Sequence, residues 1–587
     1  MPLSEVRPGM VGEALTVFQG TKPEPFKVRV ISIMRQFLPK QDVILIRAED
    51  PRVEFSGIAA GMSGSPVYIG GRLMGAIAYG WSFSKEPLGG VTPIETMLAE
   101  RNRPRRSNRD LFTEIAPDGL RTLTLAEGGA GGSAVAVAAV SAGAGAIAGA
   151  TEPHLVRVAV PLSISGFDPR VMGELPAEFR AEGLVPVQGA GVGGLRRRND
   201  KGAGRLQPGS AIGIELVRGD MSMVGTGTVT YVDHDGGVLA FGHPMFGAGE
   251  IYLPLVEAEI HAILPSVSQS MKLSSPVREV GALVQDRQSC VVGDLGARAT
   301  MVPITVRISG PGAPPRVFRA EVARNRRLTP VLASLVISNA LMDAEPDVAE
   351  MVVAVKSTVG IRGRKPLELR DEIFAPEGVS RLSLAGTRGV RALGDLLGNP
   401  FQPVILDRLD VEVRVEYRRD VAEIVAVSLP GDEVRPGEAV RLRVTLRPYN
   451  GAEYTEIIPV VIPRTLAGGT TRIEVAAGSV AKPDTVPAES LSTYVDNFRR
   501  YFAPMSIVVG VQTADDGAAL HGRLLPDLPG AAADTLRPGN QTRRAEAYRV
   551  VDRTVHPTTR LVTGRQEITV YVRDDVLGSL HARDQRR

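Results

Sequence analysis

The stretch Gly61-Met62-Ser63-Gly64-Ser65-Pro66 sets a hydroxyl between two small residues and closes with a proline. Glycine takes a positive φ without steric cost, while proline fixes its own φ and donates no N–H. Together they predict a tight, non-helical turn that projects Ser63 and aims nearby N–H groups at one point. A serine hydroxyl becomes a nucleophile only when a base takes its proton and donors wait for the oxyanion that forms. The backbone N–H groups of Gly61 and Ser63 are placed to be those donors. A tight β-turn whose serine makes a local hydrogen bond accounts for the same residues equally well. The pattern also differs from the strand-to-helix nucleophile elbow, because residue 65 is Ser rather than Gly and no helix follows.

The base must come from elsewhere, and none of the seven histidines precedes Ser63. His154 borders a linker, His261 falls in Glu257-Ala-Glu-Ile-His-Ala-Ile, and His521, His556 and His581 lie far downstream. His234, in Asp233-His234-Asp235, has the composition of a metal cluster. Adjacent residues on a hairpin point apart and no second His-rich segment completes a shell, so a solvated turn is expected there and no metal ion. His243 follows the strand-like Val238-Leu-Ala-Phe241 and is flanked by Gly242 and Pro244, which suits a fixed imidazole.

These residues need a scaffold, and the surrounding pattern is β throughout. Phe26-Lys-Val-Arg-Val-Ile-Ser-Ile33 and Val43-Ile-Leu-Ile46 precede the serine turn, and Leu73-Met-Gly-Ala-Ile-Ala-Tyr79 follows it. Thr92-Pro-Ile-Glu-Thr-Met-Leu predicts a short helix capped by Thr92 with Pro93 at its first position. Residues 1–100 therefore form one β-unit, and residues 101–153 a linker rich in Arg and then in Gly and Ala. Residues 154–305 carry a second β-unit that holds His243, with Gly225-Thr-Gly-Thr-Val-Thr-Tyr-Val232 joined to Val238 by an Asp-Gly hairpin. Residues 306–404 read as a mixed α/β connection with a helix from Thr329 to about Met342, and residues 405–482 as a β-sandwich. Residues 483–587 form a C-terminal α/β region with a helix over Ser490–Phe502.

Composition narrows the function classes. At 587 residues the chain is long enough for roughly three to five domains, and 43% apolar residues can fill their cores. A net charge of +3 gives no nucleic-acid footprint, and the runs Arg101–Arg109 and Arg196–Arg198 lack interleaved aromatics. Cys290, the sole cysteine, excludes an internal disulfide framework. No signal peptide is visible, and the uncharged run from Gly128 to Thr151 is too poor in Leu and Phe to insert well in lipid. Nothing in the pattern calls for a cofactor.

Residues Gly57-Ile-Ala-Ala-Gly-Met-Ser-Gly-Ser-Pro-Val-Tyr-Ile-Gly-Gly-Arg-Leu-Met-Gly-Ala-Ile77 resemble the serine-centred segment of the SpoIVB family of serine peptidases. Asp50-Pro51 is similar to the Asp-Pro pair that carries the family's triad acid. Gly225–Asp233 with Ala240-Phe-Gly-His243 looks like its histidine segment. The resemblance implies two chymotrypsin-like β-barrel halves, here followed by a C-terminal β-sandwich and small α/β accessory domains. It implies Ser63 as nucleophile, His243 as base and Asp50 as the residue that orients the imidazole, with a protein or peptide as substrate. It also implies action outside the cytoplasm, in the periplasm or cell envelope. In the family the histidine segment precedes the serine, whereas here it follows by 180 residues. Triads recur in several chain orders, so a site between two halves tolerates the exchange. The rival expectation is a non-catalytic envelope scaffold or binding module that meets envelope proteins through its C-terminal β-domains. A third is self-processing, with the 101–153 tract as substrate.

Overall fold

Alternation of apolar and polar residues builds the first half. In Glu24–Leu38 the side chains of Phe26, Val28 and Val30 are buried while Lys27 points out, and in Gln41–Ala48 Ile44 and Ile46 turn into the barrel core while Val43 packs on the other face with Ala78, Tyr79 and Leu155. Each buried Val or Ile contributes about 1.5–3 kcal/mol. Six strands close on themselves: β1 (Val11–Thr16), β2 (Glu24–Leu38), β3 (Gln41–Ala48), β4 (Pro66–Ile69), β5 (Arg72–Gly80) and β6 (Leu88–Pro93). The antiparallel ring runs β1-β2-β3-β6-β5-β4 and returns to β1. Its core includes Phe26, Ile44, Ile46, Met62, Met74, Ile77 and Val91. Two short helices decorate it, α1 (Pro51–Ser56) and α2 (Ile94–Arg101).

The computed structural model describes residues 1–81, 83–103, 155–173, 175, 179–180, 182–189, 206–311, 314–345, 350–378, 381–431, 433–464, 466, 468–520, 523–525 and 546–573. The Gly/Ala tract, His154, Arg196–Arg198, His521 and His581 lie outside them. The chain divides into two units, Met1–Ile304 with Phe318–Asn339, and Thr305–Val317 with Ala340–Arg587.

From residue 155 on come β7 (Val156–Arg157), β8 (Val160–Ser165) and β9 (Leu184–Gln188). A second ring then forms from β10 (Ala211–Gly219), β11 (Ser222–Val232), β12 (Gly237–Ala240), β13 (Gly249–Leu264), β14 (Met271–Arg287) and β15 (Cys290–Asp294). Its order is β10-β13-β14-β15-β12-β11 and back to β10, again antiparallel throughout. Two six-stranded antiparallel barrels in tandem are the chymotrypsin-like arrangement expected from the sequence, and the protein is mainly β. Leu239, Val284, Cys290 and Val292 of the second barrel pack with Ala76, Ile94 and Met97 of the first.

In the second unit, a sheet of Val421–Ser428, Ala439–Pro448, Tyr454–Val461 and Leu561–Thr563 faces another. That partner is built on Gly469–Ala477, Ser506–Leu520, Glu546–Pro557 and Arg565–Val572. Leu442, Val444, Ile458, Ile473, Val475, Val509 and Val570 share one core between them, which makes this a sandwich. Among the described residues no helix is long and apolar enough to cross a membrane.

Candidate active site

The hexapeptide forms a turn between α1 and β4 that is knitted to the first barrel and leans on the second. Gly64 N–H donates to the Ile77 carbonyl at 2.7 Å and Ile77 N–H to Ser65 at 3.0 Å. Thr228 of β11 binds the turn from the other side: its N–H donates to the Ser63 carbonyl at 2.8 Å and its hydroxyl to the Gly61 carbonyl at 2.9 Å. Thr230 Oγ1 donates to the Gly64 carbonyl at 2.8 Å. The approach is close enough to require glycine at 64, where φ is +95° and an added Cβ would stand 1.9 Å from the Thr228 carbonyl oxygen.

His243 arrives at the same place from the second barrel. Beyond β12 the chain bends through two positive-φ residues, Phe241 (+68°) and Gly242 (+70°). Phe241 is a bulky residue in a conformation that side chains rarely adopt, and such strain clusters at functional sites. Thr92 Oγ1 donates to the Gly242 carbonyl at 2.7 Å, and a Cβ on Gly242 would lie 3.3 Å from the Ile77 carbonyl oxygen. Gly64 and Gly242, immediate chain neighbours of Ser63 and His243, therefore meet at Ile77. Thr92 was expected as a helix cap; it is instead buried in β6, and α2 begins at Ile94 behind Pro93.

Both candidate side chains are enclosed, Ser63 at 0% exposure and His243 at 2%. Ser63 Oγ and His243 Nε2 are each without a hydrogen-bond partner among the described residues, so they are not bonded to each other either. His243 Nδ1 pairs with the Pro244 carbonyl at 2.8 Å. A carbonyl only accepts, so Nδ1 carries the proton and Nε2 presents its lone pair. Burial, reinforced by the charge of Arg157, lowers the imidazole pKa to about 4, so the ring is neutral at pH 7. Neither Gly61 N–H nor Ser63 N–H donates to another described group, whereas Met62, Gly64 and Ser65 N–H all do.

Asp50 is not the imidazole's partner. Its carboxylate caps α1 by accepting from Arg52 N–H at 2.9 Å and pairs with the Arg52 guanidinium, which holds its pKa below the usual range. An Asp-Pro pair is a good helix start, aspartate as N-cap and proline as first residue, and that role accounts for its presence. The carboxylate that serves the histidine loop is Asp286 of β14, wholly buried, which accepts from Met245 N–H at 2.8 Å and Phe246 N–H at 2.7 Å. Burial pushes its pKa up while those N–H groups oppose the shift. No motif marks Asp286 in the sequence, where it ends a strand beside Arg287.

Two other described histidines, His234 and His261, stand apart. His234 is exposed on its hairpin, where Asp233 and Asp235 both pair with Arg101. His261 Nε2 bonds Ser275 Oγ at 2.8 Å.

The chain's own backbone covers the site. In β7, Arg157 and Val156 pair antiparallel with Tyr79 and Gly80 of β5, and Val158 N–H donates to the Ala78 carbonyl at 2.8 Å. Three residues on, Pro161 Cγ lies 3.1 Å from where a Gly61 Cβ would be. Beside this strand a cavity of about 400 Å³ is bounded by Phe55, Trp81, Phe83 and Val267 together with the charged Glu54, Lys85, Glu86 and Arg157. Phe55, Phe83 and Val267 are exposed large apolar side chains.

Residues 3–98 match the family model of the SpoIVB peptidase S55. That span covers the first barrel, α1 and the serine turn. No curated protein matches the chain. Among solved structures, a superantigen-like protein from Staphylococcus aureus aligns at 10% identity and a TM-score of 0.12. The alignment covers 35% of this chain and 93% of that one.

Proposed function

We propose that the chain is a SpoIVB-like serine endopeptidase with an extracytoplasmic site of action. Ser63 attacks a peptide carbonyl, His243 Nε2 takes the hydroxyl proton and returns it to the leaving amine, and the Gly61 and Ser63 N–H groups hold the oxyanion. The Pro244 carbonyl fixes the imidazole tautomer, the task that the resemblance assigned to Asp50. The observation that carries this reading is the meeting of the serine turn and the histidine loop at Ile77, with two N–H groups left undonated beside the serine. A peptidase holds its substrate extended, and the edge of β5 at Ala78–Gly80 already pairs with an extended segment, Val156–Val158. The cavity beside that edge mixes Phe55, Trp81 and Phe83 with Glu54, Lys85, Glu86 and Arg157, which suits a substrate side chain with an apolar body and a polar or charged end.

Self-processing fits the same site. The segment Val156–Pro161, which follows the 101–153 tract in sequence, pairs with β5 and lays Pro161 against Gly61, so the chain's own polypeptide is the first substrate within reach. The binding-module reading draws on the enclosure of Ser63 and on the missing Ser63–His243 hydrogen bond. Mass spectrometry of the wild type and Ser63→Ala, each incubated alone and with an unfolded protein, separates these. Fragments of the added protein that appear only with Ser63 support the endopeptidase, self-fragments alone support processing, and identical patterns leave the binding module.

A further inference from the structure

Lys272 of β14 has no exposed surface and, among the described residues, no ion-pair partner. Its Nζ donates to Thr16 Oγ1 at 2.7 Å and to Thr228 Oγ1 at 3.4 Å. The Thr228 hydroxyl in turn donates a hydrogen bond to the Gly61 carbonyl. The Lys272 backbone N–H donates to the Ala60 carbonyl at 3.0 Å, and its Cβ and Cδ lie 3.2 Å from where a Gly61 Cβ would stand. Its stem therefore runs against Gly61, and its head reaches the turn through Thr228. An ammonium buried among hydroxyls alone is expensive, and no packing need explains it, since a methionine has similar bulk.

We propose that Lys272 is a positioning residue for the oxyanion donors. Its main-chain N–H, bonded to the Ala60 carbonyl, fixes the Ala60–Gly61 peptide that carries the Gly61 N–H, while its amine, through the Thr228 hydroxyl, fixes the Gly61–Met62 peptide that leads into Ser63 and sets a positive charge behind the oxyanion donors. This rests on the reading of Ser63 as a nucleophile. The groups that face the amine are uncharged: Thr16 from β1, Thr228 from β11, and Ala60 and Gly61 from the turn. On β14 itself, nearby Ser274 bonds Ser163 and Thr226. Burial alone lowers the amine pKa to about 7. The charge is present below that pH and lost above it, whereas His243 titrates near 4.

The test is the rate at which a fluorophosphonate labels Ser63 in the full chain between pH 5 and 9. Wild type should slow about tenfold or more as pH rises through 7. Lys272→Met should be slower at pH 6 by about ten- to a hundredfold and show no alkaline limb. Lys272→Arg, which keeps its charge, should restore the rate and also lack that limb. Should Lys272→Met not fold, Thr228→Val cuts the same link and should slow labelling at pH 6. A labelled wild type whose rate and pH profile these variants share overturns the inference alone. If the chain carrying Val158→Pro, which loosens the strand over the site, is labelled at no pH, the serine reading and this inference with it are overturned.

Discussion

Ser63 and Thr228, 165 residues apart in sequence, are joined through their main chains: the Thr228 amide donates to the Ser63 carbonyl at 2.8 Å. The Thr228 hydroxyl adds a bond to the Gly61 carbonyl. The hairpin that leads toward His243 thus also grips the serine turn, and each barrel contributes to holding the other's candidate residue.

Gly64→Ala should unfold or severely destabilise this junction. The new Cβ meets the Thr228 carbonyl at 1.9 Å in a backbone with φ of +95°, and a cost above about 3 kcal/mol is expected from clash and strain together. Gly70→Ala, with φ of +56° and open space around it, should cost about 1 kcal/mol. Urea midpoints of the two variants make the comparison.

Val158→Pro removes the N–H that binds the Ala78 carbonyl and should loosen the strand across the site. One lost hydrogen bond of about 1 kcal/mol corresponds to a several-fold rise in the accessible population, and fluorophosphonate labelling of Ser63 should accelerate by that factor. Equal rates would mean that this strand does not control access.

Acid should destabilise the fold through His243. Its folded pKa of about 4 lies below the ordinary value of 6.5, so between those values the unfolded chain binds the extra proton. The contribution is fully present above pH 6.5 and is lost as pH falls toward 4, up to about 3 kcal/mol. His243→Phe should flatten stability against pH over that window, as read from urea unfolding at a series of pH values.

Asp286→Ala should release the loop that carries His243. It leaves the Met245 and Phe246 N–H groups buried without an acceptor, at a cost of about 2–4 kcal/mol. Amide exchange at residues 245 and 246 should speed up well before that of the β11 core.

Much of this was legible from single residues. Alternation in Phe26–Val30 and the Gly61–Pro66 spacing report their own conformations, so the β-barrel class and the serine turn follow from local pattern. His243 could be chosen because glycine and proline flank it. Asp50 misled because an Asp-Pro pair serves a helix cap as well as an acid, and only tertiary contacts separate the two. Asp286 and Lys272 carry no local signal: each is an ordinary strand residue whose role comes from what a distant segment brings against it. The cover over the site was equally hidden, since Val156–Val158 pairs with a strand some 77 residues earlier.

The most direct test of Ser63 as a nucleophile served by His243 is intact-mass analysis after fluorophosphonate treatment, made on wild type, Ser63→Ala and His243→Ala in the Val158→Pro background that opens the site. One adduct mapping to Ser63, absent in Ser63→Ala and slowed at least about a hundredfold in His243→Ala, is expected. No adduct on a folded chain, or an adduct that forms equally fast without His243, would contradict it.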